Sequence, residues 1–143
     1  MDAPEPAELP LVSVVTPSLN QGRYLEQAIR SVVEQDYPRI EHIVVDGGST
    51  DGITVEVLRR HLHLRWLSEA DAGQAAAINK GFRMAAGTIY TWLNSDDFLL
   101  PGAISAAVSA LQATSCALVH VSHGHVQTYS DSSVVWMRSR CAE

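Results

Sequence analysis

The sequence predicts an α/β domain built on a mostly parallel sheet flanked by helices. Between residues 11 and 111, short apolar, β-branched runs alternate four times with stretches whose apolar residues recur at helical spacing. Turn residues and prolines punctuate nearly every boundary between the two kinds of segment. Acidic residues gather just after the strand-like runs, at Asp46, at Glu69 and Asp71, and at Asp96 and Asp97. Open sheets of this class bind ligands outside the carboxyl ends of their strands, near the point where the strand order reverses.

Residues 11–16 (LVSVVT) read as the first strand, which Pro17 ends. Asn20 is a helix-cap candidate, and residues 24–35 place Tyr24, Leu25, Ala28, Ile29, Val32 and Val33 on one helical face. Asp36-Tyr37-Pro38 stops that helix. Residues 41–45 form the second strand and run into Asp46-Gly47-Gly48-Ser49, which is also a good turn. A helix over 54–62 directs Val55, Leu58 and Leu62 inward, and 64–67 is a short third strand. The third helix, 74–86, is closed by Gly87. Residues 88–93 are the most strand-like run of the chain. Pro101 then sits at the first position of a fourth helix, with Ile104, Ala107, Val108 and Leu111 facing inward. Beyond Thr114 the pattern weakens to a strand at 117–121 and a hairpin of 126–129 with 134–137.

Composition narrows the function. The chain has 143 residues, net charge −6 and one lysine, Lys80. No basic patch exists to grip nucleic acid or anionic lipid. No apolar run reaches the roughly 18–20 residues of a membrane span. The Pro-rich, acidic residues 1–10 read as a disordered lead-in, not a signal peptide, and a cytoplasmic location, or one at the inner face of a membrane, is expected. Cys116 and Cys141 are read as free thiols. His120, His123 and His125 lie close together, but no carboxylate stands beside them to complete a zinc site.

The Asp96-Asp97 pair carries most chemistry. Two adjacent carboxylates repel, and a fold keeps them at a strand end most readily when a cation lies between them and an anionic ligand. Mg²⁺ and Mn²⁺ are bound in this way, by one or two carboxylates plus substrate phosphates. The competing reading is a polar turn with one Asp as a cap. A P-loop, a GxGxxG turn and a GxSxG elbow are all absent, which argues against NTPase, dehydrogenase and α/β-hydrolase readings. A pyrophosphorylase-like reading would need a Gly-rich basic loop after the first strand, where the chain has Thr-Pro-Ser.

Two blocks, VSVVTPSLNQGRYLEQAIRSVVEQDYPRIEHIVVDGGSTDG and SEADAGQAAAINKGFRMAAGTIYTWLNSDDFLLPGA, resemble the nucleotide-binding half of a family 2 glycosyltransferase with the GT-A (Rossmann-like) fold. The resemblance covers residues 11–107 and implies one nucleotide-sugar-binding domain over 11–143, with the acceptor-binding half missing or incomplete. It implies that Thr16 and Pro17 line the base pocket of a UDP-sugar, that Asp46 bonds base or ribose, and that Glu69 and Asp71 lie near it with Asn79 in support. Ser49 and Asp51 shape the turn. Asp97 would contact Mg²⁺ or Mn²⁺, with Asp96 at the metal and nearer the ribose or sugar. The implied reaction is inverting transfer to a glycan or lipid acceptor.

Two positions depart from the pattern: Gly47 and Asn94 stand where many members carry acids. The catalytic base is unassigned, since after Thr128 only Asp131 and Glu143 are acidic. The alternative is a truncated, non-catalytic nucleotide-binding domain that needs a partner chain. Apolar surface near residues 126–137 would also favour a homodimer.

Overall fold

The computed structural model describes residues 8–113 together with the strands at 118–122, 125–129 and 136–138. Four parallel strands form the main sheet: β1 (Val12–Ser18), β2 (Ile40–Asp46), β3 (Arg65–Ser68) and β4 (Ile89–Trp92), in the order β3-β2-β1-β4. Helices α1 (Gly22–Val33), α2 (Thr54–Arg60), α3 (Gln74–Met84) and α4 (Ala103–Ala113) follow them in turn. The register pairs Val12 with both Ile40 and Ile89.

Side-chain alternation along β1 sets the two layers. Val12 and Val14 join Ala28 and Val32 of α1 and Ile104, Ala107 and Val108 of α4. Beside them Leu25, Ile29, Val44, Val57 and Leu58 bring α1 and α2 together. Val15 points the other way and meets Ile43, Val45 and Ala77 of α3. Each fully buried aliphatic of this kind contributes about 1.5–3 kcal/mol. Helix α3 lies directly on β1 because position 81 is glycine: a Cβ there would stand 2.3 Å from Val15 Cγ1.

Several boundaries differ from the sequence expectations, each for a physical reason. Strand β1 runs through Pro17 to Ser18. Pro17 pairs with Val45, while β4 stops opposite Val15. The missing N–H at Pro17 therefore faces the side where the ladder has already ended. Tyr24 is half-exposed, its ring under the Arg23 guanidinium at 4.7 Å, and Val33 is exposed at the end of α1. Helix α2 ends at Arg60, which leaves Leu62 94% exposed instead of inward. Phe82 and Trp92, by contrast, pack against the core. Gly87 does not cap α3, which ends through an extended Ala85. Its N–H goes to Ser13 Oγ at 2.9 Å and Glu41 Oε1 at 3.0 Å. Pro101 precedes α4, which begins at Ala103 because Gly102 adopts a φ of 77°. Leu9 and Pro10, placed by sequence in the lead-in, accept hydrogen bonds from Arg39 and Tyr37.

A second sheet has the order β6-β5-β7, from β5 (Leu118–Ser122), β6 (His125–Tyr129) and β7 (Trp136–Arg138). The expected hairpin of 126–129 with 134–137 does not form. Strand β6 pairs antiparallel with β5, and β7 pairs parallel with the other side of β5. His123, Cys116 and Cys141 lie outside the described residues, as do the side chains of His120 and His125.

Candidate nucleotide site at the switch point

The strand order reverses between β1 and β4: successive crossovers step from β1 to β2 to β3, and the next returns to the far side of β1. At that point a cleft of about 410 Å³ opens above the strand ends. Pro17, Ser18, Leu19 and Gln21 line it from the end of β1, Asp71, Gly73, Gln74 and Ala77 from the start of α3, and Asn94, Ser95 and Asp96 from the end of β4. A larger hollow of about 550 Å³ follows the outer face of α1. Its charges oppose one another, Arg23 and Arg30 against Glu26 and Glu34, and no β1, β2 or β3 strand end reaches it. The smaller cleft is therefore the candidate site.

The acids at the strand ends divide into two groups. Asp46 is 0% exposed. Its Oδ2 accepts from the Ser49 N–H at 2.9 Å and the Ser68 hydroxyl at 2.7 Å, and its Oδ1 accepts from the Ser49 hydroxyl. Ser49 Oγ in turn accepts from the Asn20 N–H at 2.7 Å, and Asn20 Oδ1 accepts from Thr50 N–H at 2.8 Å. Asn20 thus stitches two loops together, at a φ of 53°, in place of capping α1. Asp51 accepts from Gly22 N–H, Ile53 N–H, Thr54 N–H and the Thr54 hydroxyl, all within 3.1 Å. Those bonds to Thr54 lead the set that lowers its carboxyl to about 2. Ser49 and Asp51 shape the turn as expected.

The second group faces the cleft or stands beside it. Asp71 Oδ1 accepts from Gly73 N–H at 2.8 Å, and its Oδ2 lies 3.0 Å from where a Cβ at Gly47 would be. A Cβ at position 47 would crowd Asp71, which would have to shift by a few tenths of an ångström. Asp96 is exposed and lines the cleft. Asp97 follows it, with Oδ2 accepting from Asn94 Nδ2 at 3.1 Å. Among the described residues neither Asp96 nor Asp97 belongs to an ion pair.

Two expected residues sit elsewhere than anticipated. Pro17 lines the cleft, but the side chain of Thr16 is buried on the opposite face and bonds His42 Nε2 at 2.8 Å. Burial, with His63 and His61 nearby, lowers His42 to about 3, so the ring is neutral. Asn79 is exposed on α3, and it is its neighbour Lys80 that reaches Glu69, at 2.5 Å. Gln74 was not anticipated. Its Nε2 donates to Asn94 Oδ1 at 2.6 Å across the cleft, and its place as first residue of α3, next to Gly73, was the available signal.

The donor set suits a hard divalent cation. Asp96 and Asp97 offer two carboxylates, and among the described residues no cluster of three ligating side chains exists. Such a pair leaves coordination positions for substrate phosphates, as Mg²⁺ and Mn²⁺ require.

A parallel α/β sheet with acids at its switch point is an architecture that places a ligand cleft at the strand ends. The comparisons with known proteins give the family: residues 13–139 match "Glycosyl transferase family 2", and the chain belongs to that family. It is 37% identical over 114 residues to the putative teichuronic acid biosynthesis glycosyltransferase TuaG of Bacillus subtilis, covering 76% of this chain and 44% of that protein. Among solved structures, it is similar to the mannosyltransferase PcManGT of Pyrobaculum calidifontis in complex with GDP-Man and Mn²⁺. That likeness has a TM-score of 0.73 and 32% identity over 85% of this chain and 38% of the other. The S. aureus TarS fragment 1–349 in complex with UDP-GlcNAc shares the fold, with a TM-score of 0.68 at 24% identity over 78% of this chain and 34% of that one. The chain thus spans less than half the length of each of these relatives. Among the described residues no helix is long and apolar enough to cross a membrane.

Proposed function

We propose that this chain supplies the donor site of a glycosyltransferase that moves a sugar from a nucleoside diphosphate to a glycan or lipid acceptor with inversion. One observation carries the reading: Asp71 and Asp96 line a single switch-point cleft, with Asp97 beside it, and neither Asp96 nor Asp97 is neutralised by a cationic side chain among the described residues. The residues lining the cleft include no Lys or Arg, so a diphosphate there would rely on a metal or backbone N–H groups. The GDP-Man and Mn²⁺ bound to the mannosyltransferase relative support the same chemistry.

Asp97 and Asp96 would hold Mg²⁺ or Mn²⁺, which stabilises the charge that develops on the leaving diphosphate. Asp96 would also accept from the ribose or sugar hydroxyls. Pro17 and Leu19 offer the nucleobase an apolar wall, and the free Oδ2 of Asp71 above Gly47 accepts from its ring or exocyclic N–H groups. Asp46 serves from behind, since its oxygens already hold the loop that ends β2 and the last residue of β3. Thr16 would act through packing and not by contact.

Calorimetric titration of UDP and of GDP, each with Mn²⁺ and with EDTA, tests this against Asp97→Ala. Metal-dependent binding that the variant loses is the expected result. No binding of either diphosphate by folded chain, as judged by circular dichroism, overturns the reading.

A further inference from the structure

We propose that Gln74 is a positioning residue that aims the Asp97 carboxylate at the cation through Asn94; this rests on the metal-binding reading above. Asn94 has one acceptor and one donor end to its amide. Gln74 Nε2 donates to Asn94 Oδ1 at 2.6 Å and anchors the acceptor end toward α3, the orientation that the acceptor-only Asp97 carboxylate requires. The donor end, Nδ2, is then the only one that can meet Asp97, and it donates to Oδ2 at 3.1 Å. The backbone reinforces the arrangement, with Asp97 N–H donating to Asn94 O at 3.1 Å. One Asp97 oxygen is thereby occupied, and Oδ1 carries no hydrogen bond among the described residues.

The chain of contacts has a direction that chemistry can reverse. A carboxylate at position 74 cannot donate. The Asn94 amide would have to turn its Nδ2 toward α3 and its Oδ1 toward Asp97, where two acceptors repel. Gln74 lies on the first turn of α3 and is exposed, which makes it replaceable without loss of the fold.

The test is Mn²⁺ binding followed by electron paramagnetic resonance, with Mn²⁺ alone and with Mn²⁺ plus UDP or GDP. Gln74→Met should weaken Mn²⁺ binding about tenfold, the lower end of what such supporting contacts contribute. Gln74→Glu should weaken it at least as much, although the added negative charge by itself would tighten it. On an Asn94→Ala background, Gln74→Met should have no further effect. Unchanged affinity in Gln74→Met, tighter binding in Gln74→Glu, or an undiminished effect on the Asn94→Ala background would each overturn the relay. If Asp97→Ala abolishes binding while the Gln74 variants match the parent, the relay alone fails. If the parent chain binds no Mn²⁺ with or without diphosphate, the metal reading fails and the relay with it.

Discussion

The loop after β2 and the loop after β4 carry the same kind of residue to opposite ends. Asp46 is wholly buried with three bonds from serine groups, and Asp51 accepts four from two helix starts. Asp96 is exposed, and Asp97 has one neutral amide donor on its side chain. The number of donors around a carboxylate separates scaffold from site. A carboxylate whose oxygens are all satisfied has little left for a ligand, whereas one with spare acceptor capacity and no cationic side chain is poised to take a metal or a hydroxyl.

The sharpest way to break that contrast is to remove both acids in turn. Asp97→Ala should abolish metal-dependent diphosphate binding and leave the unfolding free energy in urea within the roughly ±0.5 kcal/mol typical of surface changes. Asp46→Ala should do the reverse in kind: it strands the Ser49 N–H and the Ser49 and Ser68 hydroxyls, and should cost about 2–4 kcal/mol in urea denaturation. Equal stability losses in the two variants would erase the distinction.

A smaller effect is expected where α3 meets β1. Gly81→Ala places a methyl against Val15 and should cost about 1–3 kcal/mol while shifting the first turn of α3. Weakened nucleotide binding in that variant, beyond what unfolding explains, would tie the cleft to this contact.

Acid titration then separates the buried His42 from the part-exposed Asp51. His42 is held below its ordinary value of 6.5, to about 3, so the unfolded chain binds the extra proton. Its stabilising contribution is complete above pH 6.5 and falls as pH drops below it, with a slope of up to ~1.4 kcal/mol per pH unit. His42→Asn should flatten that slope between pH 6.5 and 5. The smallest change is expected for Asp51→Asn, which should remove the part of acid destabilisation that sets in as pH falls from 3.8 toward 2.

Much of this was legible in the sequence because one period dominates each segment. The alternation of β-branched runs and helical stripes carries the α/β class and the succession of strands and helices, and Asp71 and Asp96 stand out by their place after strand-like runs. What escaped depends on partners distant in the chain. Nothing local in Asn20 says that its side chain will bond Thr50 instead of the helix that follows it. Thr16 was assigned to the pocket, but strand alternation turns it to the other face, where His42 waits. Tyr24 and Leu62 look like core residues by type. One sits at the edge of its helical stripe and the other lies two residues past a helix that stops at Arg60.

The pairing of β1 with β4 has a kinetic consequence. The Ser13–Gly87 contact beside it spans 74 residues of chain, whereas the Ser13–Glu41 contact beside β1 and β2 spans 28. Closing the longer loop demands more chain entropy before any contact rewards it. The β1–β2 pair is therefore expected to assemble early and β4 to dock late, bringing Asp96 and Asp97 to the cleft in the last stage of folding. A diphosphate bound there would act as a latch on the slowest step, slowing unfolding more than it speeds refolding.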